Sequence, residues 1–192
     1  MNALFEQLEA VSPLTASCKQ HLRQHLQLRE VQDKEFLLRP GQICKTLRFV
    51  HFGLLRCFVL CNGEDVTSRF ALDGELCVSP ASFFRQIITM EFMQSIGNSV
   101  IYEMDYTLMQ RTCCDFMDFR ILIDTMILKN YLFAEGVLNA IHMLTPRQRY
   151  EWMRDRYIDP GSPYGQYLPS YVGLTRDMIN TFRQQDHSHK RN

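Results

Sequence analysis

The sequence predicts an α+β protein with an N-terminal β-roll of the jelly-roll type, one long helix and a small C-terminal helical domain. Residues 47–76 hold three short β-type runs that are broken only by residues suited to tight turns. Many short strands without long helices between them favour a jelly-roll. From Asp118 the apolar residues recur at helical spacing instead, and Thr145 begins a further helix. The chain is therefore divided into residues 1–117, 118–144 and 145–192.

Glycine positions define the turns of the predicted β-roll. Gly53 stands where an apolar run must reverse, and Asn62-Gly63 is a strong hairpin signal because both residues accept positive φ in a type I′ turn. Pro40-Gly41 and Asp73-Gly74 predict two further turns. Short strands are thus expected from Val31 to about Glu103.

Two helix starts carry a capping residue followed by proline. Ser12-Pro13 predicts a helix that runs through Leu26, and Thr145-Pro146-Arg147-Gln148 has the form of a capping box. Between them, residues 118–144 carry an apolar stripe of about seven turns, which is more than a small β-roll can cover. A loop rich in helix breakers is expected at residues 159–163, and the polar tail from Gln184 is expected to fray.

Composition bounds the compartment and the class of protein. The 192 residues are 46% hydrophobic and 22% charged, which suits one larger domain and a small one. No apolar run approaches the roughly 18 residues that a membrane span needs, and the first ten residues are acidic rather than basic and apolar. Most of the seven cysteines lie in apolar segments, as buried thiols of a reducing compartment do. We expect a cytoplasmic protein with no membrane partner.

Catalytic and metal-binding patterns are not found in the sequence. It shows no nucleophile elbow, phosphate-cradling loop or His-Glu-x-x-His motif, so an enzyme is not expected. Cys113-Cys114 is an adjacent pair, and Cys57 and Cys61 are four residues apart in a predicted strand, so neither pair has the spacing of a structural zinc site. His21 and His25 share a helix face without a third ligand nearby in sequence. We therefore expect no metal and no cofactor.

Charge separates the two ends of the chain. Residues 1–144 carry 13 lysines and arginines against 16 carboxylates, a net charge of −3. Residues 145–192 carry 8 against 5, a net charge of +3. Only the C-terminal part is suited to a polyanion, and its small excess favours two copies acting together on nucleic acid.

Residues 167–183 predict two short helices joined at Gly173. This glycine would supply the left-handed conformation of a tight turn, and Thr175 would cap the second helix. The arrangement resembles a helix-turn-helix, whose second helix enters the DNA major groove. The apolar residues expected to pack the two helices together are Leu168, Val172, Leu174, Ile179 and Phe182.

These elements together resemble the Crp/Fnr superfamily, the relatives of the bacterial cyclic AMP receptor protein. The resemblance covers nearly the whole chain, from about Leu14 to Arg183, and is similar in form to the short regulators of Bacteroidetes-type bacteria. It implies a cyclic-nucleotide-binding-like sensor domain at 1–117, a dimerisation helix at 118–144 and a DNA-binding domain at 145–192. A homodimer, DNA and an unknown small-molecule effector are the implied partners. The motifs that carry it are Phe49–Gly53, Leu55-Arg56, Asn62-Gly63, Gly74-Glu75-Leu76, Ser79-Pro80, Ser82-Phe83-Phe84 and Thr175-Arg176-Asp177.

The resemblance implies that the second helix of the pair reads DNA. An arginine can contact guanine through two hydrogen bonds, and a carboxylate can accept from cytosine. Two positions depart from the family pattern, because Pro169 replaces a small alanine and Thr181 replaces an arginine. With Gly165 they leave open an alternative, a ligand-binding or protein-interaction module with a degenerate DNA-binding domain. The implied DNA-binding residues are Thr175, Arg176, Asp177, Asn180, Thr181 and Arg183.

The resemblance also implies an effector pocket. In the family a glutamate accepts from a ribose hydroxyl and an arginine about ten residues later pairs with the cyclic phosphate. Glu75 matches the first role, whereas two registers assign the second either to Arg85 or to Thr89. Because the second register provides no cation, cyclic AMP is not the expected effector. The implied ligand-binding residues are Gly74, Glu75, Leu76, Ser82, Arg85 and Thr89.

Overall fold

The computed structural model describes residues 1–156 and 165–189, and it has the expected α+β architecture. The loop expected at residues 159–163 lies outside the described residues. Among the described residues, no helix is both long enough and apolar enough to cross a membrane. The chain divides into two compact units, one formed by residues 1–59 and 70–130, the other by residues 60–69 together with the chain from Tyr131 onward.

Two antiparallel sheets form the predicted β-roll. Their strand orders are β1-β8-β3-β6 and β2-β7-β4-β5, so that neighbours in space are mostly distant in sequence, as in a jelly-roll. The described strands are β1 (Gln27–Val31), β2 (Phe36–Leu38), β3 (Thr46–Phe52), β4 (Leu55–Cys61), β5 (Glu64–Ala71), β6 (Leu76–Cys77), β7 (Phe92–Ser95) and β8 (Ser99–Asp105).

The long helix occupies the predicted position to within one residue at each end. The described helices are α1 (Asn2–Glu9), α2 (Ala16–His25), α3 (Pro80–Arg85), α4 (Tyr106–Asp115), α5 (Met117–Met143), α6 (Pro146–Arg156), α7 (Leu168–Val172) and α8 (Arg176–His189), with one turn of 3-10 helix at Gly165–Tyr167.

The helix expected to begin at Ser12-Pro13 begins later, and that prediction was wrong. Thr15 is the actual cap of α2, because its Oγ1 accepts a hydrogen bond from the backbone N of Cys18 at 3.3 Å. Helices α1, α3 and α4 were not predicted from the sequence. The start of α4 is fixed by Asp105, whose Oδ1 accepts from the backbone N of Leu108 at 2.9 Å.

The predicted turns are confirmed by backbone geometry. Asn62 and Gly63 both have positive φ, 53° and 85°, as the type I′ hairpin between β4 and β5 requires. Gly53 has φ 104° and lies against β8, where an added Cβ would be only 2.8 Å from the Cα of Ser99. This close approach explains why no side chain is found at the bend between β3 and β4.

Each unit has its own apolar core. In the first unit the inward faces of both sheets pack with α1, α2 and the first half of α5, whose Phe119 and Leu122 are fully buried. In the second unit Val137 and Ala140 of α5 are buried, and so are apolar residues of the helices that follow. Those further core residues are Tyr150, Met153, Leu168, Tyr171, Val172, Leu174 and Ile179.

Candidate nucleic-acid interface and effector pocket

The turn between α7 and α8 has the geometry predicted for a helix-turn-helix. Gly173 adopts the left-handed conformation with φ 64° and ψ 41°, and the backbone N of Leu174 donates to the carbonyl O of Pro169 at 2.8 Å. Thr175 Oγ1 then accepts from the backbone N of Met178 at 3.2 Å, which caps α8. The two helices are therefore fixed at their junction by a backbone hydrogen bond that closes the turn and by a side-chain cap that begins α8.

Arg149 of α6 binds the C-terminal end of α7. Its Nη1 donates to the carbonyl O of Val172 at 2.9 Å and to that of Gly173 at 3.0 Å. A cation at this end of a helix satisfies carbonyls that have no intrahelical partner and opposes the helix dipole. The arginine thus ties the turn to the preceding helix.

Asp186 attaches the far end of α8 to α6. It accepts hydrogen bonds from Arg147, from Tyr150 Oη at 3.2 Å and from Arg154 Nη1 at 2.8 Å. Burial acts to raise the pKa of Asp186, but the hydrogen bonds from Arg147 and Tyr150 prevail and hold that pKa below its ordinary value. The tail expected to fray from Gln184 is instead helical to His189, because this network anchors it.

The first turns of α8 present polar side chains to solvent. Arg176 and Asp177 are exposed, and among the described residues none pairs with the Arg176 guanidinium. Thr175, Asn180 and Thr181 are exposed as well, and Arg183 is half-buried. On the opposite side Leu174 and Ile179 are buried, as the apolar spacing predicts.

Pro169 is accommodated because α7 is short. It lies in the first helical turn, where a missing N–H costs nothing, and the 3-10 turn at Gly165–Tyr167 precedes it. Helix α7 is also bound by Thr67 of β5, whose backbone N donates to Ser170 Oγ at 3.2 Å and whose Oγ1 donates to the carbonyl O of Tyr167 at 3.2 Å. This strand contact has no signal in the sequence, because Thr67 and Ser170 are distant in the chain.

Gly74, Glu75 and Leu76 lie in and after the turn that precedes β6. Glu75 Oε2 accepts from the backbone N of Leu72 at 3.0 Å, and the Gly74 N donates to the carbonyl O of Val50 at 2.7 Å. The Glu75 carboxylate therefore binds the backbone of the turn to which Glu75 belongs. This turn lies before α3, which begins at Pro80. Leu76 is buried in the core.

The remaining predicted ligand residues surround α3. Ser82 is buried, where its Oγ accepts from the backbone N of Cys44 at 2.8 Å and donates to the carbonyl O of Ile87 at 2.6 Å. Arg85 is exposed at the last position of α3. The Ser82 hydroxyl is thus occupied by the backbone of Cys44 and Ile87. The Arg85 side chain is exposed to solvent.

Thr89 belongs to a buried polar network that contains a carboxylate. Its Oγ1 lies 3.2 Å from Ser79 Oγ, which in turn donates to Glu91 Oε2 at 2.6 Å. The backbone N of Glu91 donates to Thr89 Oγ1 at 3.0 Å. The register that replaces the arginine by Thr89 therefore supplies a hydroxyl beside the Glu91 carboxylate and no cation of its own.

An open cavity of about 460 Å³ lies elsewhere in the β-roll and contains no predicted ligand residue. Its most distinctive side chain is Arg48, which is almost fully buried and pairs through Nε with Glu103 Oε1 at 2.9 Å. In the sequence, the one sign of this cavity was an arginine within the largely apolar strand β3. The cavity is lined by Leu37, Leu38, Gln42, Ile43, Lys45, Thr46 and Arg48.

Comparison with known proteins shows which fold this is. No family description and no curated protein matches the sequence. Solved structures do match: the global regulator CLP of Xanthomonas campestris has a TM-score of 0.72 at 16% identity over 92% of this chain and 93% of that chain. The chain has the Crp/Fnr fold. FixK2 of Bradyrhizobium japonicum matches at TM-score 0.69 and 13% identity over 86% of each chain.

A transcriptional regulator of the Crp/Fnr family from Eubacterium rectale matches at TM-score 0.67 and 13% identity, over 92% of this chain and 85% of that chain. The match extends over the β-roll, the long helix and the C-terminal helices, so the Crp/Fnr resemblance is confirmed at the level of the fold. CLP is described as responsive to c-di-GMP and as linking cell–cell signalling to virulence gene expression.

Proposed function

We propose that the protein is a homodimeric, DNA-binding transcription regulator whose β-roll senses a small molecule other than cyclic AMP. The observation that carries the proposal is the exposed first turn of α8, with Arg176 and Asp177 directed to solvent on a helix fixed by Gly173, Arg149 and Asp186. The Crp/Fnr fold supports it, since the solved structures that share this fold include transcription regulators.

Base recognition would be carried by the polar face of α8. Arg176 can bind guanine O6 and N7, Asp177 can accept from cytosine N4, and Asn180 can bind adenine. Thr175, Thr181 and Arg183 flank them and are suited to phosphate contacts, which set the position of the helix without reading sequence. Thr181 Oγ1 donates to the carbonyl O of Asp177 at 2.9 Å, so its hydroxyl is already partly occupied.

Dimerisation would use the exposed apolar face of α5, within residues 118–144. Ile121, Leu128, Tyr131, Leu132 and Leu138 are each at least half exposed, at 50%, 54%, 63%, 53% and 53%. A helix face this apolar is unusual on a free surface and is suited to a second copy of the same helix. Pairing would also double the net charge of +3 on residues 145–192.

The proposed exclusion of cyclic AMP rests on the surroundings of Thr89. A cyclic phosphate placed there would approach the Glu91 carboxylate, with no guanidinium contributed by that register. Thermal unfolding with and without millimolar cyclic AMP tests this point, and we expect no change in Tm. Native mass spectrometry of the freshly purified protein would then identify any molecule that it retains.

The DNA proposal is tested by an operator search on random duplexes followed by gel shift. We expect Arg176→Ala to weaken binding to the selected operator by about 1–3 kcal/mol, because one bidentate base contact is lost. Arg111→Ala is the matched control, since Arg111 is an exposed arginine of α4 in the other unit. Selection that yields no specific sequence, or equal binding by both variants, would favour the interaction module instead.

A further inference from the structure

Two cross-strand pairs, one from each sheet, meet inside the β-roll. Arg48 of β3 lies opposite Cys77 of β6, and Cys57 of β4 lies opposite Met93 of β7. Residues that are directly opposite on neighbouring strands direct their side chains to the same face of the sheet. All four are at most 5% exposed. Three sulfur atoms and one guanidinium are therefore brought together in the interior.

The three sulfur atoms are close to the spacing of a metal-ligand set. Cys77 Sγ lies 3.8 Å from Cys57 Sγ and 3.6 Å from Met93 Sδ. A three-coordinate ion with metal–sulfur bonds of about 2.3 Å holds its ligands about 4.0 Å apart. Both separations from Cys77 Sγ are within a few tenths of an ångström of that value. The third side of the triangle joins Cys57 and Met93, which are directly opposite on neighbouring strands.

We propose that Cys57, Cys77 and Met93 form a binding site for monovalent copper, Cu(I). Two thiolates and a thioether are soft ligands, which select Cu(I) over the harder divalent ions. The described residues contain no group of three His, Cys, Asp or Glu side chains able to hold a metal, so a zinc-type donor set is not available. This inference goes beyond the proposed function and does not depend on DNA binding. It departs from the expectation that no metal is bound, because its three ligands come from three different strands, β4, β6 and β7, and so form no motif along the sequence.

Cu(I) binding changes the charge of the site, and Arg48 lies beside it. When Cu(I) binds, both thiols release their protons to solvent, and the ion with two thiolates carries a net charge of −1. Arg48 Nη1 lies 3.7 Å from Met93 Sδ, so a guanidinium is adjacent to this charge. The arginine is held in place by Glu103 Oε1 at 2.9 Å and by the carbonyl O atoms of Thr46 at 3.1 Å and Leu37 at 3.3 Å.

The open cavity supplies a route to the sulfur atoms. Arg48, Leu37 and Thr46 line it, and the same Arg48 contacts Met93 from within. An ion that enters the cavity is therefore separated from the thioether by one side chain.

A second sulfur pair in the protein lacks these features and provides a comparison. Cys113 Sγ lies 3.6 Å from Met109 Sδ. The pair of Cys113 and Met109 offers one thiol and one thioether, one ligand fewer than the set of Cys57, Cys77 and Met93.

The test is competition for Cu(I) between the reduced, full-length protein and the chelator bicinchoninate without oxygen. We expect the wild-type chain to retain one Cu(I). Cys57→Ala and Cys77→Ala should each weaken retention by at least about a hundredfold, and Met93→Leu by about tenfold. Two controls, Cys44→Ala and Cys113→Ala, should match the wild type, because Cys44 is a buried thiol outside the site and Cys113 belongs to the comparison pair.

Folding of each metal-free variant is checked by circular dichroism. Met93→Leu conserves volume, so it keeps the test valid even if a cysteine variant fails to fold. X-ray absorption of the loaded protein should show a shell of three sulfur atoms. Wild-type retention of Cu(I) in all three site variants, or copper binding that is lost in Cys113→Ala, would overturn the proposal.

Discussion

Asp186 joins helix α8 to helix α6 through three side chains, those of Arg147, Tyr150 and Arg154. We expect Asp186→Asn to lower the free energy of unfolding by about 1 kcal/mol at neutral pH, since partly exposed ion pairs contribute little more. Because folding lowers the pKa of Asp186, the unfolded chain binds more protons in acid. The stabilisation that Asp186 contributes is therefore present at neutral pH and is lost as the pH falls through the lowered pKa of this residue.

Urea unfolding followed by fluorescence of Trp152, the single tryptophan, measures this difference within the same unit. The wild type should exceed Asp186→Asn in stability near pH 7 and match it near pH 2. Asp177→Asn, a change of an exposed carboxylate in the first turn of the same helix, should have a smaller effect, because it loses only the interaction with the helix dipole. A constant gap between wild type and Asp186→Asn at all pH values would contradict the assignment.

Gly53 is a second residue whose role can be isolated. Gly53→Ala should cost at least about 2 kcal/mol, because it combines positive φ with a Cβ that would meet the backbone of Ser99 at 2.8 Å. Gly63→Ala is the matched control: its φ is also positive, at 85°, but nothing lies within 4 Å of an added Cβ. It should cost only about 1 kcal/mol of strain. Equal losses in thermal unfolding would show that the contact with Ser99 is unimportant.

Helix α6 is the element whose start depends most on local sequence. The Thr145 backbone N donates to Gln148 Oε1 at 3.0 Å, and the Gln148 N donates to Thr145 Oγ1 at 3.4 Å, so the predicted capping box is confirmed. Thr145→Ala should lower stability by about 1 kcal/mol, whereas Thr145→Ser should stay near the wild type. Trp152 lies in this helix and reports its unfolding. Equal stability of the two variants would mean that the cap contributes nothing.

Elements with local signals were predictable, and those with competing signals were not. The long helix and the helix pair around Gly173 carry periodicity, caps and a turn glycine in adjacent residues. Helix α4 was missed because it follows β8 directly, and Asp105 is both the last residue of the strand and the cap of the helix. Helix α1 was missed because it has no start signal in the sequence: Met1, at its N-cap position, makes no side-chain capping hydrogen bond.

The candidate site divides in the same way. The exposed residues of α8 followed from helical spacing, since a face of a helix is determined by neighbours three and four positions away. The carboxylate beside Thr89 and the grouping of Cys57, Cys77 and Met93 depend on pairing between strands that are distant in sequence. The spacing of residues along the sequence does not show which residues of different strands come into contact.

At the scale of the whole molecule, the exposed apolar face of α5 predicts self-association. Leu128→Asp should shift the protein from dimer to monomer in sedimentation velocity, because a buried unpaired charge opposes pairing. Lys129→Asp, an exposed position next to it, is the control and should leave the dimer intact. A wild-type protein that sediments as a monomer at micromolar concentration would contradict the proposal of a homodimer that binds DNA.

Thr67 and Ser170 are 103 positions apart in the chain and yet share hydrogen bonds. Expression of residues 145–192 alone would remove strand β5, whose Thr67 binds helix α7. Such a truncated product should be less stable than the same segment within the intact polypeptide, and a loss of DNA affinity in it would say nothing about the sensor. Dissection of this protein requires a single chain that retains the β4–β5 hairpin.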